Sequence, residues 1–126
     1  MYVKHNNELK VCKYGKHQRK LTFAHQPSIT VDGQYVNAVY QINEVVEQSD
    51  LVQPIIASSI KFSTLGGSQT FNNIESEIIS CVSGSSYTTL TLKFDVGETV
   101  SDYILVTINL DVYKEENIGV LVEDIA

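Results

Sequence analysis

Apolar and polar residues alternate along most of this chain. From Tyr103 to Tyr113, Ile104, Val106, Ile108, Leu110 and Val112 fill the even positions while Thr107, Asn109 and Asp111 fall between them, the period of two expected of a half-buried strand. Leu90, Leu92, Phe94 and Val96 form a shorter run of the same kind, as do Ile74, Ile78 and Val82. Turn chemistry separates these runs. Asp32-Gly33 predicts a hairpin with Ile29 opposite Val36, and Gly66-Gly67 predicts a second with Phe62 opposite Phe71, a favourable aromatic pair. Keeping the even face inward then requires odd loops. Gly84 to Ser86 pairs Ile78 with Leu92, Gly97 to Thr99 pairs Leu92 with Ile104, and a bend around Lys114 to Glu116 pairs Val112 with Ile118 and Leu110 with Val120. The second half therefore reads as an antiparallel meander, with a bulge expected near Asp102, which would otherwise oppose Phe94.

One segment breaks the alternation. Between Ala38 and Leu51, Val39, Ile42, Val45 and Val46 recur at helical spacing, with Glu44 and Glu47 on the other side and Pro54 as a stop, so a short helix is expected over residues 38–51. Many short strands with at most one short helix predict an all-β fold: an antiparallel β-sandwich or jelly-roll-like barrel of eight to ten strands. The 126 residues fit a single β domain, 1–126, long enough to bury a core without metal or disulfide support.

The first 25 residues stand apart. Leu9 and Val11 alternate before Gly15-Lys16-His17, and Leu21 and Phe23 alternate after it; all four are odd-numbered, so a three-residue bend would match their faces. That reading makes a basic N-terminal hairpin (1–25), with Val11 facing Leu21 and Lys13 facing Arg19 near a cationic tip. Like charges opposed across a ladder are unfavourable. The net charge of −6 conceals a division that the hairpin sharpens. Residues 1–25 carry six cations against Glu8, a net +5, and hold all three histidines; the acidic body, 26–126, carries three lysines against fourteen acids, a net −11. Such asymmetry suggests that the two parts face different partners. The candidate partner-binding residues are Lys10, Lys13, Tyr14, Lys16, His17, Arg19 and Lys20, presented to an acidic protein surface or to the phosphates of a nucleic acid. Lysines that only protect a sheet edge are the plainer explanation.

Chemistry is thinly represented. Cys12 and Cys81 are far apart and lack a CxxC pairing, which reads as free thiols in a reducing compartment. The opening residues contain no apolar stretch of signal-peptide type, and no run approaches a membrane span, so the expectation is a soluble chain without a secretory signal. His5, Cys12, His17 and His25 match no zinc spacing, and no metal or cofactor is expected. Glu75 and Glu77 share a strand face but nothing marks a cleft around them. No GxSxG, GxGxxG or Walker loop is present, and "TLGGSQT" lacks the lysine that a phosphate loop needs. The chain is therefore read as not an enzyme. Seven tyrosines leave a carbohydrate-binding module as a further alternative.

The opening "MYVKHNNELKV" resembles a short "YVKHN" phrase that begins, and sometimes repeats within, fibre and decoration proteins of tailed bacteriophages. In those proteins Gly and then Trp-Lys commonly follow, where this chain has Asn7-Glu8-Leu9-Lys10. The likeness spans about eleven of the 126 residues. It implies a small β-rich virion protein, often oligomeric, assembled in the host cytoplasm. Its N-terminal part, here Tyr2 to Lys10, would anchor it to capsid or tail proteins or to its own copies. The expectation is a non-enzymatic structural subunit docking through its basic hairpin, with a small nucleic-acid-binding protein as the alternative and no membrane partner.

Overall fold

The computed structural model describes residues 2–5 and 8–122, with side chains from residue 17 to residue 117. Among them are nine strands: β1 (Tyr2–His5), β2 (Glu8–Lys20), β3 (Ser28–Asp32), β4 (Tyr35–Ile42), β5 (Ile56–Thr64), β6 (Gly67–Ser83), β7 (Thr88–Asp95), β8 (Tyr103–Asn109) and β9 (Tyr113–Val122). A 3-10 turn at Gln48–Asp50 interrupts them. The protein is all-β, as its alternation predicts. Six strands form one antiparallel sheet in the order β3-β4-β7-β6-β5-β8, and β1-β2-β9 form a second. The larger sheet curls until its two edge strands, β3 and β8, flank a common groove, an arrangement close to a closed barrel.

Alternation decides which residues fill the interior. Val36, Ala38, Tyr40 and Ile42 of β4 pack with Leu90, Leu92 and Phe94 of β7 and with Ala57, Ile60 and Phe62 of β5, all buried. Residues between strands close the ends: Leu21, Val46, Leu51, Ile55, Val96, Val100 and Val112 belong to the same core. Phe62 meets Phe71 edge-on at 5.7 Å between ring centroids and Tyr103 at 5.4 Å, spacings at which aromatic pairs are favourable.

Both early hairpins exist, each with its register moved by two. Val31 opposes Val36 because the turn centres on Gly33-Gln34. Gly33, at φ 61, takes the first central position, where a left-handed backbone costs glycine little. Likewise Thr64 opposes Gly67, so Phe71 lies across from Ile60 and reaches Phe62 diagonally. Ile78 does oppose Leu92, though by another route: a bulge at Ile79 corrects a loop one residue longer than expected. That bulge also reverses the faces beyond it. Cys81 therefore turns inward as a half-buried free thiol, and Val82 is 63% exposed.

Three expectations fail. No helix spans 38–51; β4 runs through to Ile42, and only Gln48–Asp50 turns. The valines there are shared between a strand interior and a loop pinned from the barrel, where Thr88, itself buried, receives the Val46 N–H at 2.9 Å and donates to the Glu44 carbonyl at 2.8 Å. The β7 to β8 meander is also absent. β7 has β4 on one side and β6 on the other, so the following chain has no open edge there and crosses to β5, where Ile108 opposes Ile60. Asp102 has a left-handed φ of 59 in that crossing, and the bulge expected near it lies two residues on, at Ile104 of β8, where the ladder to β5 shifts between Ser63 and Thr64. On β8 the even face turns inward from Val106, while Ile104 is 66% exposed.

The third correction concerns the basic segment. It is not a hairpin. β2 is one continuous thirteen-residue strand, paired antiparallel with β9 from Val11↔Val122 to Lys20↔Tyr113 and with β1 from Tyr2↔Val11 to His5↔Glu8. The bend expected around Lys114 to Glu116 is a straight part of β9. A local hairpin would have set Lys13 against Arg19; the long-range ladder gives Arg19 carboxylate neighbours and provides β2 with ten consecutive partners.

Candidate functional site

The two sheets meet at the end of β2. Leu21 enters the core and its N–H bonds the Val112 carbonyl at 2.8 Å, while Thr22 to Ala24 run beside the end of β4 through Asn43 N–H to Thr22 O and Ala24 N–H to Gln41 O. On the other side, Val52 N–H bonds the Tyr113 carbonyl, and Leu51 bridges to Lys114. Beyond this junction β2 lies extensively against β1 and β9 alone.

Arg19 fastens the junction. Its guanidinium binds Glu44 through two bonds, Nη1 to Oε1 at 2.6 Å and Nη2 to Oε2 at 2.7 Å, and binds Glu116 Oε1 through Nη2 at 2.6 Å and Nε at 3.1 Å. This forked geometry suits Arg and carboxylate. Arg19 lies opposite Lys114 in the ladder, a like-charge pair, and Glu116 sits on the diagonal, reaching Arg19 and also Lys114 Nζ at 3.7 Å. Hydrogen bonding to Arg19 holds the Glu44 and Glu116 carboxyls below their ordinary range, and the same bonds raise the guanidinium further. Because Thr88 holds the Glu44 backbone, the contact runs from the barrel interior through Glu44 to the second sheet. Lys20 pairs with Asp111 at 3.0 Å, and that hydrogen bond raises its ammonium.

These contacts redistribute the expected partner-binding set. Arg19 and Lys20 are engaged by carboxylates of their own chain, and His17 is exposed on β2 opposite Glu116 in the ladder. The side chains of Lys10, Lys13, Tyr14 and Lys16 lie outside the described residues; their backbones oppose Val3 for Lys10 and Val120, Gly119 and Asn117 for the other three. Residues Glu44, Asp111 and Glu116 escaped the sequence reading. A signal was available for two of them, since the three acids of residues 111–116 are opposite in charge to the basic tract at 13–20, but only the fold makes them neighbours.

Two grooves follow the seam between β3 and β8. One, of about 570 Å³, is lined by Pro27, Ile29 and Val31 on one side and Tyr103 to Val106 on the other. The second lies nearer the junction, between Phe23 and Leu110, and borders Tyr40, whose buried hydroxyl finds no hydrogen-bond partner among the described residues and is held neutral to high pH by burial. His25 sits at its rim, bonding Gln26 O at 2.8 Å and Gln41 Oε1 at 3.1 Å, which raise its pKa. Glu75 and Glu77 line a separate open depression with Asp95 and Lys93, whose ammonium lies 4.2 Å from the Tyr35 ring centroid. Among the described residues no three His, Cys, Asp or Glu side chains cluster as metal ligands, and no helix is long and apolar enough to cross a membrane.

No protein family, no curated protein and no solved structure matches this chain.

Proposed function

We propose that this protein is a non-enzymatic structural subunit of a bacteriophage particle, of the capsid-decoration or fibre type, and that its β1-β2-β9 sheet is the docking element. One observation carries the reading: thirteen residues of β2 and ten of β9 are committed to a sheet that, among the described residues, lies extensively against no strand of the barrel. A sheet needs something against which to bury its apolar positions, and a subunit held in a larger assembly finds that cover in its neighbours. The likeness of the opening residues to phage fibre and decoration proteins supports the same reading. The docking cations differ from those expected, because Arg19 and Lys20 serve the junction. Lys10, Lys13 and Lys16 carry the attachment, with charge complementarity guiding the encounter and surface burial holding it.

The test begins with particles purified on a density gradient from the native source. The chain should appear there in fixed proportion to a major capsid or tail protein; its absence from every particle fraction overturns the proposal. Replacing Lys10, Lys13 and Lys16 together by Gln should then release the chain from particles without lowering its melting temperature. Undiminished attachment would remove these lysines from the docking role, and recovery of the wild-type chain on nucleic acid instead would favour the phosphate-binding alternative.

A further inference from the structure

We infer that copies of this chain join head to tail, the outer edge of β9 in one copy pairing with the open edge of β8 in the next. The inference rests on the reading of the protein as an assembly subunit and names its partner.

The acceptor is β8. It pairs with β5 on one side, and among the described residues no strand occupies the other. Open edges are ordinarily protected by lysine, proline, inward charge or a bulge, and of these β8 has only the bulge at Ile104. Here Tyr103 through Leu110 contains neither charge nor proline. Ile104 and Leu105 are 66% and 59% exposed, at a bulge where Ile104 falls between the Ser63↔Leu105 and Thr64↔Tyr103 pairs. The adjoining groove is lined by Ile29, Thr30 and Val31 and bears no charged side chain. An edge of this kind selects an extended, uncharged segment with alternate apolar residues, since backbone bonds supply affinity and the groove receives side chains.

The same chain offers such a segment. Among the described residues β9 is the edge of its sheet, and on its outer side Leu51 and Val52 occupy Tyr113 and Lys114. Past the charges at Glu115 and Glu116, it continues as Asn117-Ile118-Gly119-Val120-Leu121-Val122, six uncharged residues rich in β-branched types. The lengths agree: six residues of β9 against seven of β8, about 20 Å of ladder in either case. β9 can contribute its outer edge while keeping β2 on the inner one. Because donor and acceptor are different surfaces, the contact is heterologous and generates a ring or an open filament.

Sedimentation velocity of the whole purified chain over a range of concentrations tests this. Concentration-dependent association is expected, weakened at least about tenfold by Ile104→Lys on the acceptor and equally by Val120→Lys on the donor. Ile104→Lys should leave the melting temperature unchanged; if Val120→Lys lowers it, Leu121→Lys takes its place. The decisive measurement mixes the two variants. Each retains one working surface, so the mixture should form a 1:1 dimer and nothing larger. A monomer at every concentration, association indifferent to Ile104→Lys, or a mixture that stays monomeric overturns the inference. Particle attachment is read separately, so self-association can fail while the virion reading stands, and the reverse.

Discussion

The six-stranded sheet encloses buried side chains from β4, β5 and β7, whereas the three-stranded sheet has its ladder and, at one end, the Arg19 contacts. Both are antiparallel, but the strands of the larger sheet alternate apolar and polar residues while β2 carries five cations in thirteen residues. In the barrel, each inward residue adds the burial of an apolar side chain, about 1.5–3 kcal/mol. At the junction the guanidinium is shared by two carboxylates that remain about one-third exposed, and ion pairs open to water contribute little. Global stability should therefore reside in the barrel, with the second sheet opening at lower cost.

Three changes probe that division, in falling order of effect. Phe94 is fully buried on the central strand β7, and Phe94→Ala should cost about 3–5 kcal/mol in denaturant unfolding, with both sheets lost together. A variant that unfolds the barrel while β2 and β9 amides stay protected from hydrogen exchange would contradict the division. Thr88→Val removes the hydroxyl that joins barrel to junction and strands the Val46 N–H and Glu44 carbonyl. A loss of about 1–3 kcal/mol is expected, with faster exchange in β2 as a second readout. Arg19→Gln should have the smallest global effect. It should accelerate exchange along β2 and β9 and leave the barrel amides as they were; equal acceleration in both would show that the sheets open as one.

The acid limb of stability sharpens the last comparison. Glu44 and Glu116 titrate below the ordinary carboxyl value of 4.5 in the folded protein because they accept bonds from Arg19. A depressed pKa contributes stability that is complete above the unfolded value and is lost as pH falls through the folded one. The difference between wild type and Arg19→Gln should therefore hold steady from neutral pH to about 5 and close below about 4.5. A gap that persists at lower pH would assign the effect to packing rather than charge.

Much of the barrel was legible in the sequence because its signals are local. The face assignment of β7 follows from alternation, and Asp32-Gly33 marks a turn whose centre shifts by one residue to suit the glycine. Parity arguments carried less well past irregularities. The bulge at Ile79 exchanges Cys81 for Val82 on the inner face, and no feature of Ile79 itself announces it. The greatest loss was at the basic segment, where a nearby glycine and matching parity favoured a hairpin. Nothing within residues 1–25 reveals that β9, roughly a hundred positions away, offers a longer ladder, or that Glu116 on β9 and Glu44 after β4 bind Arg19.

The sequence by itself determined that the chain is all-β, that residues such as Leu90, Leu92 and Phe94 turn inward, and that its charge divides between a basic opening and an acidic remainder. Those properties depend on residue type and on a period of two, and both can be read without knowing which strands are neighbours. Only the tertiary structure decided that β7 is enclosed by β4 and β6, that β8 lies against β5, and that the basic strand is held by its own chain's acids. Strand pairing across long separations is fixed by competition among all available edges, and that competition is settled by the folded chain as a whole.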